Sequence, residues 1–262
     1  MTREWNSSTY DRISGPQVSW GKKVLSRVAL GGDETLLDAG CGTGRLTADL
    51  LEALPKGRVI GLDLSQNMLR TARENLEPRF CGRLQVVAAD LLSLPFDQVF
   101  DGVFSTAAFH WVMDHDRLFE QLFHALIPGG WLIAQCGGGP NLARLRDRAN
   151  HLMASPKFAT FFDGFVEPWL YSDAESAGER LCRAGFMEVE TSLEAAPTVL
   201  EDASHFSEFI ESVIFHRHLE RIPDQASRGQ LIAELTAAGA SDDPPYSLDY
   251  WRLNLSGKKP RA

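Results

Sequence analysis

The chain has 262 residues, 44% of them hydrophobic and 23% charged, which suits one elaborated α/β domain with a buried core. A formal net charge of -9 argues against a polyanion binder, because phosphate backbones are held by clustered Lys and Arg, so no nucleic-acid partner is expected. No stretch approaches the ~20 apolar residues that span a bilayer, the N-terminus lacks a signal peptide's apolar core, and Cys41, Cys81, Cys136 and Cys182 form no C-x-x-C pair, so a soluble, cytoplasmic protein without membrane or metal framework is expected.

Pro16 opens a predicted helix carrying Val18, Val24, Leu25 and Val28, and Gly31-Gly32-Asp33 stops it. A regular alternation follows: strand 35–39, helix 45–54, strand 58–63, helix 65–75, strand 84–88, strand 101–105, helix 116–126 and strand 131–136. Such units predict a Rossmann-like, doubly wound, mostly parallel sheet with helices on both faces. After Gly137-Gly138-Gly139-Pro140 the pattern changes. Residues 141–153 read as a helix, and 158–171 are rich in aromatic side chains. Ser172 and Glu175 form a capping box for a helix that ends at Gly185. Strand 187–193, helices at about 201–220 and 224–238, and strand 248–256 complete the chain. The seven strands fit one sheet if one of the late pair runs antiparallel at its edge. Residues 1–262 are thus expected to be one domain, with a ligand-binding core at 33–137. Segments 140–171 and 195–246 are expected to be helical and aromatic insertions covering a substrate. The basic run Lys258-Lys259-Pro260-Arg261 is expected to be a frayed, solvated tail.

In such sheets ligands bind beyond the carboxyl ends of the strands. The first strand runs into Asp38-Ala39-Gly40-Cys41-Gly42-Thr43-Gly44, a G-x-G-x-G loop with Arg45 where a dinucleotide fingerprint has its third glycine. That departure counts against an NAD-dependent oxidoreductase. Asp38 adds negative charge suited to a cationic amino-acid group rather than a pyrophosphate. Asp63 ends the second strand, twenty-three residues beyond Gly40, placed to accept hydrogen bonds from both hydroxyls of a ribose. Asp90, after the third strand, is placed for an exocyclic adenine amine. Each acid alone reads equally well as a helix cap or a loop residue.

Leu37-Asp38-Ala39-Gly40-Cys41-Gly42-Thr43-Gly44, Gly61-Leu62-Asp63-Leu64-Ser65-Gln66-Asn67-Met68-Leu69, Ala89-Asp90-Leu91 and Leu126-Ile127-Pro128-Gly129-Gly130 resemble, in order, the motifs of class I S-adenosylmethionine-dependent methyltransferases. The resemblance covers roughly residues 33–137. It implies S-adenosyl-L-methionine as cofactor and S-adenosyl-L-homocysteine as product. Asp38, Gly40, Cys41, Gly42 and Gly44 would then hold the methionyl end, Asp63 and Leu64 the ribose, and Met68, Asp90 and Leu91 the adenine. Ala107-Ala108-Phe109-His110-Trp111-Val112-Met113-Asp114-His115 resembles, more finely, the segment after the fourth strand in the trans-aconitate methyltransferase group. Those relatives usually carry glutamine where His110 stands. This implies a small-molecule substrate, a carboxylate turned into a methyl ester, with transfer to nitrogen, carbon or a hydroxyl as the alternative, and a non-catalytic cofactor-binding protein as another.

His110 either orients or deprotonates the acceptor, or simply lines the pocket wall. Trp111 and Tyr10 are candidate substrate contacts, and Trp5 with Tyr10 marks a candidate lid. Arg252 either clamps a substrate carboxylate or points outward into solvent. Asp114-His115-Asp116 looks like a metal motif, but Asp116 is also well placed to cap the next helix, and no metal is expected. Asp243-Pro244-Pro245-Tyr246 reads as a turn. A monomer is favoured.

Overall fold

The computed structural model describes Glu4, Trp5 and residues 15–261. Tyr10 lies outside the described residues. In chain order the elements are α1 (Gly15–Leu25), β1 (Thr35–Ala39), α2 (Arg45–Ala53), β2 (Arg58–Asp63), α3 (Gln66–Leu76), β3 (Leu84–Ala88) and β4 (Phe100–Thr106). A 3-10 turn at Phe109–Trp111 leads to α4 (His115–Ala125), β5 (Leu126–Gly137), α5 (Ala143–Met153), α6 (Ala174–Arg183) and β6 (Met187–Ala195). Then come β7 (Thr198–Val199), α7 (Ala203–Phe209), α8 (His216–Leu219), α9 (Gln225–Gly239), β8 (Ser247–Leu248) and β9 (Trp251–Lys258). No helix among the described residues is long and apolar enough to cross a membrane.

The seven-stranded sheet has the order β3-β2-β1-β4-β5-β9-β6. β1 pairs in parallel with both β2 and β4, β2 with β3, and β4 with β5. The winding therefore reverses between β1 and β4, the place where such sheets open a ligand crevice. β9 runs antiparallel to β5, with Gly137 opposite Arg252. It lies one place in from the edge, and β6 is outermost. The sequence expectation of an antiparallel strand at the edge is thus refined: β6 leaves a gap beside β5, and the last strand fills it.

Alternation along the central strands explains why their sequences are apolar throughout. Leu37, Ile60 and Val103 enter one core layer with Leu118, Phe119 and Leu122 of α4, whereas their neighbours Leu36, Val59 and Phe104 enter a second layer with Val24 of α1 and Leu50 and Leu51 of α2. Both faces are covered, so period-two patterning disappears.

The chain divides into two compact units. The first holds residues up to Gly139, Trp169–Glu194 and residues from Arg252 onward; the second holds Pro140–Pro168 and Ala195–Trp251. In the second unit the predicted helix 201–220 is broken into α7, a π turn at Ile210–Ile214 and α8. Asp242 accepts a two-pronged bond from Arg148 at 2.7 and 3.0 Å, and His218 lies 3.0 Å from the Glu167 carboxylate. Asp243-Pro244-Pro245-Tyr246 follows α9, and Tyr246 N donates to Gly239 O at 2.9 Å, the geometry of a turn.

Three local expectations are corrected. Asp173, not Ser172, caps α6, accepting from Ser176 N at 2.8 Å, while Ser172 Oγ accepts from Arg180. Asp114, not Asp116, caps α4, accepting from Arg117 N, and leaves Asp116 to pair with Arg183 at 2.7 Å. The basic C-terminal run is pinned rather than frayed. Lys259 N donates to Gly130 O, and Lys259 Nζ donates to Phe123 O at 2.9 Å and Leu126 O at 2.8 Å, 4.7 Å above the Phe123 ring. These carbonyls close the C-terminus of α4, where a cation satisfies otherwise orphaned acceptors and the helix dipole. Lys259→Met is therefore expected to cost about 1–2 kcal/mol, read as a lower urea midpoint with unchanged slope.

Candidate active site

The loop after β1 is built by glycine geometry. Gly40, Gly42 and Gly44 have φ of +84°, +56° and +84°. Gly40 N and Cys41 N both donate to Leu62 O, at 2.7 and 2.9 Å, which folds the loop back over the end of β2. A Cβ on Gly40 would sit 2.3 Å from Ala108 Cβ, so the segment after β4 presses on the loop. A Cβ on Gly42 would meet nothing within 4 Å. There the left-handed backbone alone demands glycine, and the space beside it is open. Gly44 caps α2 without a side chain, so the uncapped N–H groups of its first turn add positive potential at this edge.

The acids that the sequence singles out are placed differently from one another. Asp38 is 3% exposed, and its Oδ2 accepts from Thr47 Oγ1 at 2.6 Å. Burial pushes its carboxyl up to about 7; the Thr47 hydroxyl opposes this, and the negative charge of Asp63 adds to it. Burial with the same two carboxylates pushes the Cys41 thiol well up, leaving it an inert wall. Asp63 ties two loops together, accepting from Gly42 N at 3.0 Å on one oxygen and from Ser65 N at 2.9 Å on the other. Ser65 caps α3 through Met68 N, and Met68 is buried while Leu64 is 36% exposed. Glu4 reinforces that cap, accepting from Ser65 Oγ, Gln66 N and Asn67 N at 3.1–3.2 Å. The exit of β3 joins the same edge through Ala89 N, which donates to Asp63 O. Asp90 is exposed and accepts from Leu92 N at 2.9 Å. The Leu91 side chain is committed to the core with Phe100 and Leu118, so what it offers a ligand is its backbone.

A pocket opens beside the loop, lined by Asp38, Gly40, Cys41, Gly42 and Thr43 together with Arg45 and Leu46, Gln17 and Val18 of α1, and Thr106 and Ala107 after β4. Asp63, Leu64, Met68, Asp90 and Leu91 stand to its side, along the ends of β2 and β3. The sequence reading missed Gln17 and Thr47. Thr47, three residues after Gly44, is visible as a polar residue in an otherwise apolar helix face; nothing in the sequence says that α1 leans on the loop.

On the other side, the 3-10 turn presents His110 and Trp111. His110 is 9% exposed, and its Nδ1 accepts from Gly137 N at 3.2 Å, which makes the neutral ring carry its proton on Nε2. Trp111 meets Trp5 and Trp169 edge to face, with centroids 5.3 and 5.9 Å away, and Tyr171 stacks on Trp169 and flanks His110. Arg252 is 3% exposed rather than solvated, its guanidinium 4.6 Å from the Trp20 ring. It stands opposite Gly137 in the register of β5 and β9, at the same end of the sheet as His110. His115 is buried, its Nε2 3.0 Å from Phe109 O, and burial lowers its pKa. Among the described residues no three His, Cys, Asp or Glu side chains converge to hold a metal ion.

Residues 37–134 match the family model described as a methyltransferase domain. The matched stretch runs from the glycine loop into β5, so this part of the chain is similar to that domain, and the sheet order around it is Rossmann-like. More particularly, the chain is 37% identical over 132 residues to a trans-aconitate 2-methyltransferase of Variovorax paradoxus (strain S110), covering 50% of this chain and 49% of that protein. It is 30% identical over 174 residues to a trans-aconitate 2-methyltransferase of Rhodopseudomonas palustris (strain BisB18), covering 66% of this chain and 61% of that one. The chain spans about half the length of the first of the curated relatives it matches. Among solved structures, phosphoethanolamine N-methyltransferase 2 of Haemonchus contortus, in complex with phosphomonomethylethanolamine and S-adenosylhomocysteine, superposes with a TM-score of 0.64 at 20% identity, over 97% of this chain and 57% of that one. That likeness speaks for the fold.

Proposed function

We propose that this protein transfers a methyl group from S-adenosylmethionine to a small carboxylate, giving a methyl ester. The observation that carries the reading is the join between the glycine loop and Asp63, whose carboxylate holds Gly42 N at the ends of two adjacent parallel strands. A ligand with a cationic amino-acid end, a ribose and an adenine fits a row of Asp38, Asp63 and Asp90 at successive strand ends. Asp38, Gly40, Cys41, Gly42 and Gly44 hold the methionyl end, Asp63 and Leu64 the ribose, and Met68, Asp90 and the Leu91 backbone the adenine.

S-adenosylmethionine supplies a methyl carbon made electrophilic by its sulfonium. An acceptor carboxylate is already ionised at neutral pH. With the donor bound, one of the acceptor's oxygen lone pairs would form the new O–CH3 bond as the electron pair of the S–CH3 bond passes to sulfur. No proton moves, so no base is required. The protein's contribution is alignment and exclusion of water. His110, as an Nε2–H donor, and Arg252 supply the positive and hydrogen-bonding side of the acceptor seat, with Trp111, Trp169 and Tyr171 as its apolar wall. The names of the relatives, trans-aconitate 2-methyltransferases, favour a short polycarboxylate as acceptor.

The test is S-adenosylhomocysteine formation with labelled methyl donor against short di- and tricarboxylates, amines and phenols. The expected result is turnover on a carboxylate with a label released by alkali. An alkali-stable label on an amine or phenol would move the acceptor to another class. Tight S-adenosylhomocysteine binding with no transfer to any acceptor would reduce the protein to a binding module.

A further inference from the structure

Helix α1 brings to the glycine loop a polar side chain that the roles above leave unused. Gln17 lines the pocket with Asp38, the loop residues and Arg45. Its Oε1 is buried and has no hydrogen-bond partner among the described residues, although the residue as a whole is only half-buried. A buried acceptor without a donor is costly, and native structures leave few of them. An occupant carrying N–H groups removes that cost.

The position of Gln17 selects which part of a ligand it meets. The pocket runs from the loop toward α1 and toward Thr106 and Ala107 at the end of β4. The acids suited to ribose and adenine stand on the opposite side, at the ends of β2 and β3. What reaches Gln17 is therefore the end of the ligand remote from the base. Asp38, buried in the same pocket, makes the place favourable for positive charge.

We propose that Gln17 accepts a hydrogen bond from the α-ammonium of the methionyl end of S-adenosylmethionine, making α1 part of the cofactor site and setting a preference for ligands with an intact amino-acid end. The inference rests on the methyl-transfer reading. It assigns α1 a task that the loop alone does not perform, since glycines offer backbone groups but no side-chain acceptor.

Calorimetry with two ligands tests it. S-adenosylhomocysteine keeps the amino-acid end, whereas 5′-methylthioadenosine keeps the adenosine and the thioether but lacks that end. Gln17→Leu is expected to weaken S-adenosylhomocysteine about tenfold, the scale of one hydrogen bond to a charged group, and to leave 5′-methylthioadenosine unchanged. Gln17→Glu, which retains an acceptor, is expected to bind S-adenosylhomocysteine at least as well as the native protein. Unchanged S-adenosylhomocysteine affinity in the leucine variant would overturn the proposal. So would loss of S-adenosylhomocysteine binding in the glutamate variant while 5′-methylthioadenosine still binds. A native protein that binds neither ligand would remove the methyl-transfer reading itself, an outcome separate from those two.

Discussion

Asp63→Ala is expected to weaken S-adenosylhomocysteine binding by about 100-fold, the largest loss from any single change at this site. Two effects combine. The first is direct: a carboxylate accepting from two ribose hydroxyls makes two charge-assisted hydrogen bonds, each worth about 1.5 kcal/mol or more, and 1.4 kcal/mol is about tenfold in affinity. The second is structural. Asp63 accepts from Gly42 N and from Ser65 N, so its removal releases the glycine loop and the start of α3 together. Asp63→Asn separates the two. An amide keeps one acceptor but turns its NH2 toward either Gly42 N or Ser65 N, so affinity should fall to an intermediate value. Calorimetry measures both, and near-native affinity in Asp63→Ala would take the ribose away from the end of β2.

The candidate site is legible in the sequence only as an expectation, and only where its residues follow one another along the chain. The loop 40–44 comes straight off β1, and Asp63 and Asp90 come straight off β2 and β3, so strand ends and chemistry are read together. The parallel sheet was legible for the same reason, because β1 to β5 alternate with their helices in order. What escaped depends on distant chain. The sequence left Arg252 open between a substrate clamp and an outward residue of an alternating strand; β9 inserts between β5 and β6, and Trp20 covers the guanidinium, which removes the outward reading. Lys259 looked like tail because its partners are the carbonyls that end α4, more than a hundred residues earlier. Cap assignments slipped by a residue or two at Asp173 and Asp114, where several oxygen-bearing side chains compete for one helix start. Gln17 had no signal, since its role depends on where α1 rests.

S-adenosylhomocysteine binding is expected to tighten as pH rises from about 5.5 to about 7.5, with Asp38 as the group responsible. Burial lifts its carboxyl from 3.8 to about 7 in the free protein, so below that pH it holds a proton. A ligand that brings an ammonium group into the pocket favours the ionised form and must expel that proton before it gains the attraction. Affinity should therefore fall toward a limit of about tenfold per pH unit as pH drops below 7, and level off above it. Stability of the free protein has the opposite slope. Between about pH 4 and pH 7 the folded state holds a proton that the unfolded chain has released, so this group's contribution to stability declines as pH rises through that window. The rise in Tm produced by a saturating ligand should accordingly grow with pH. Calorimetry at pH 6 in buffers of different ionisation enthalpy should register proton release on binding. Asp38→Asn should abolish both the release and the pH slope. Thr47→Val should move the slope to higher pH, because the Thr47 hydroxyl donates to the ionised carboxylate and holds its pKa down. Binding that is flat from pH 5.5 to 7.5 in the native protein would separate Asp38 from the cationic end of the ligand.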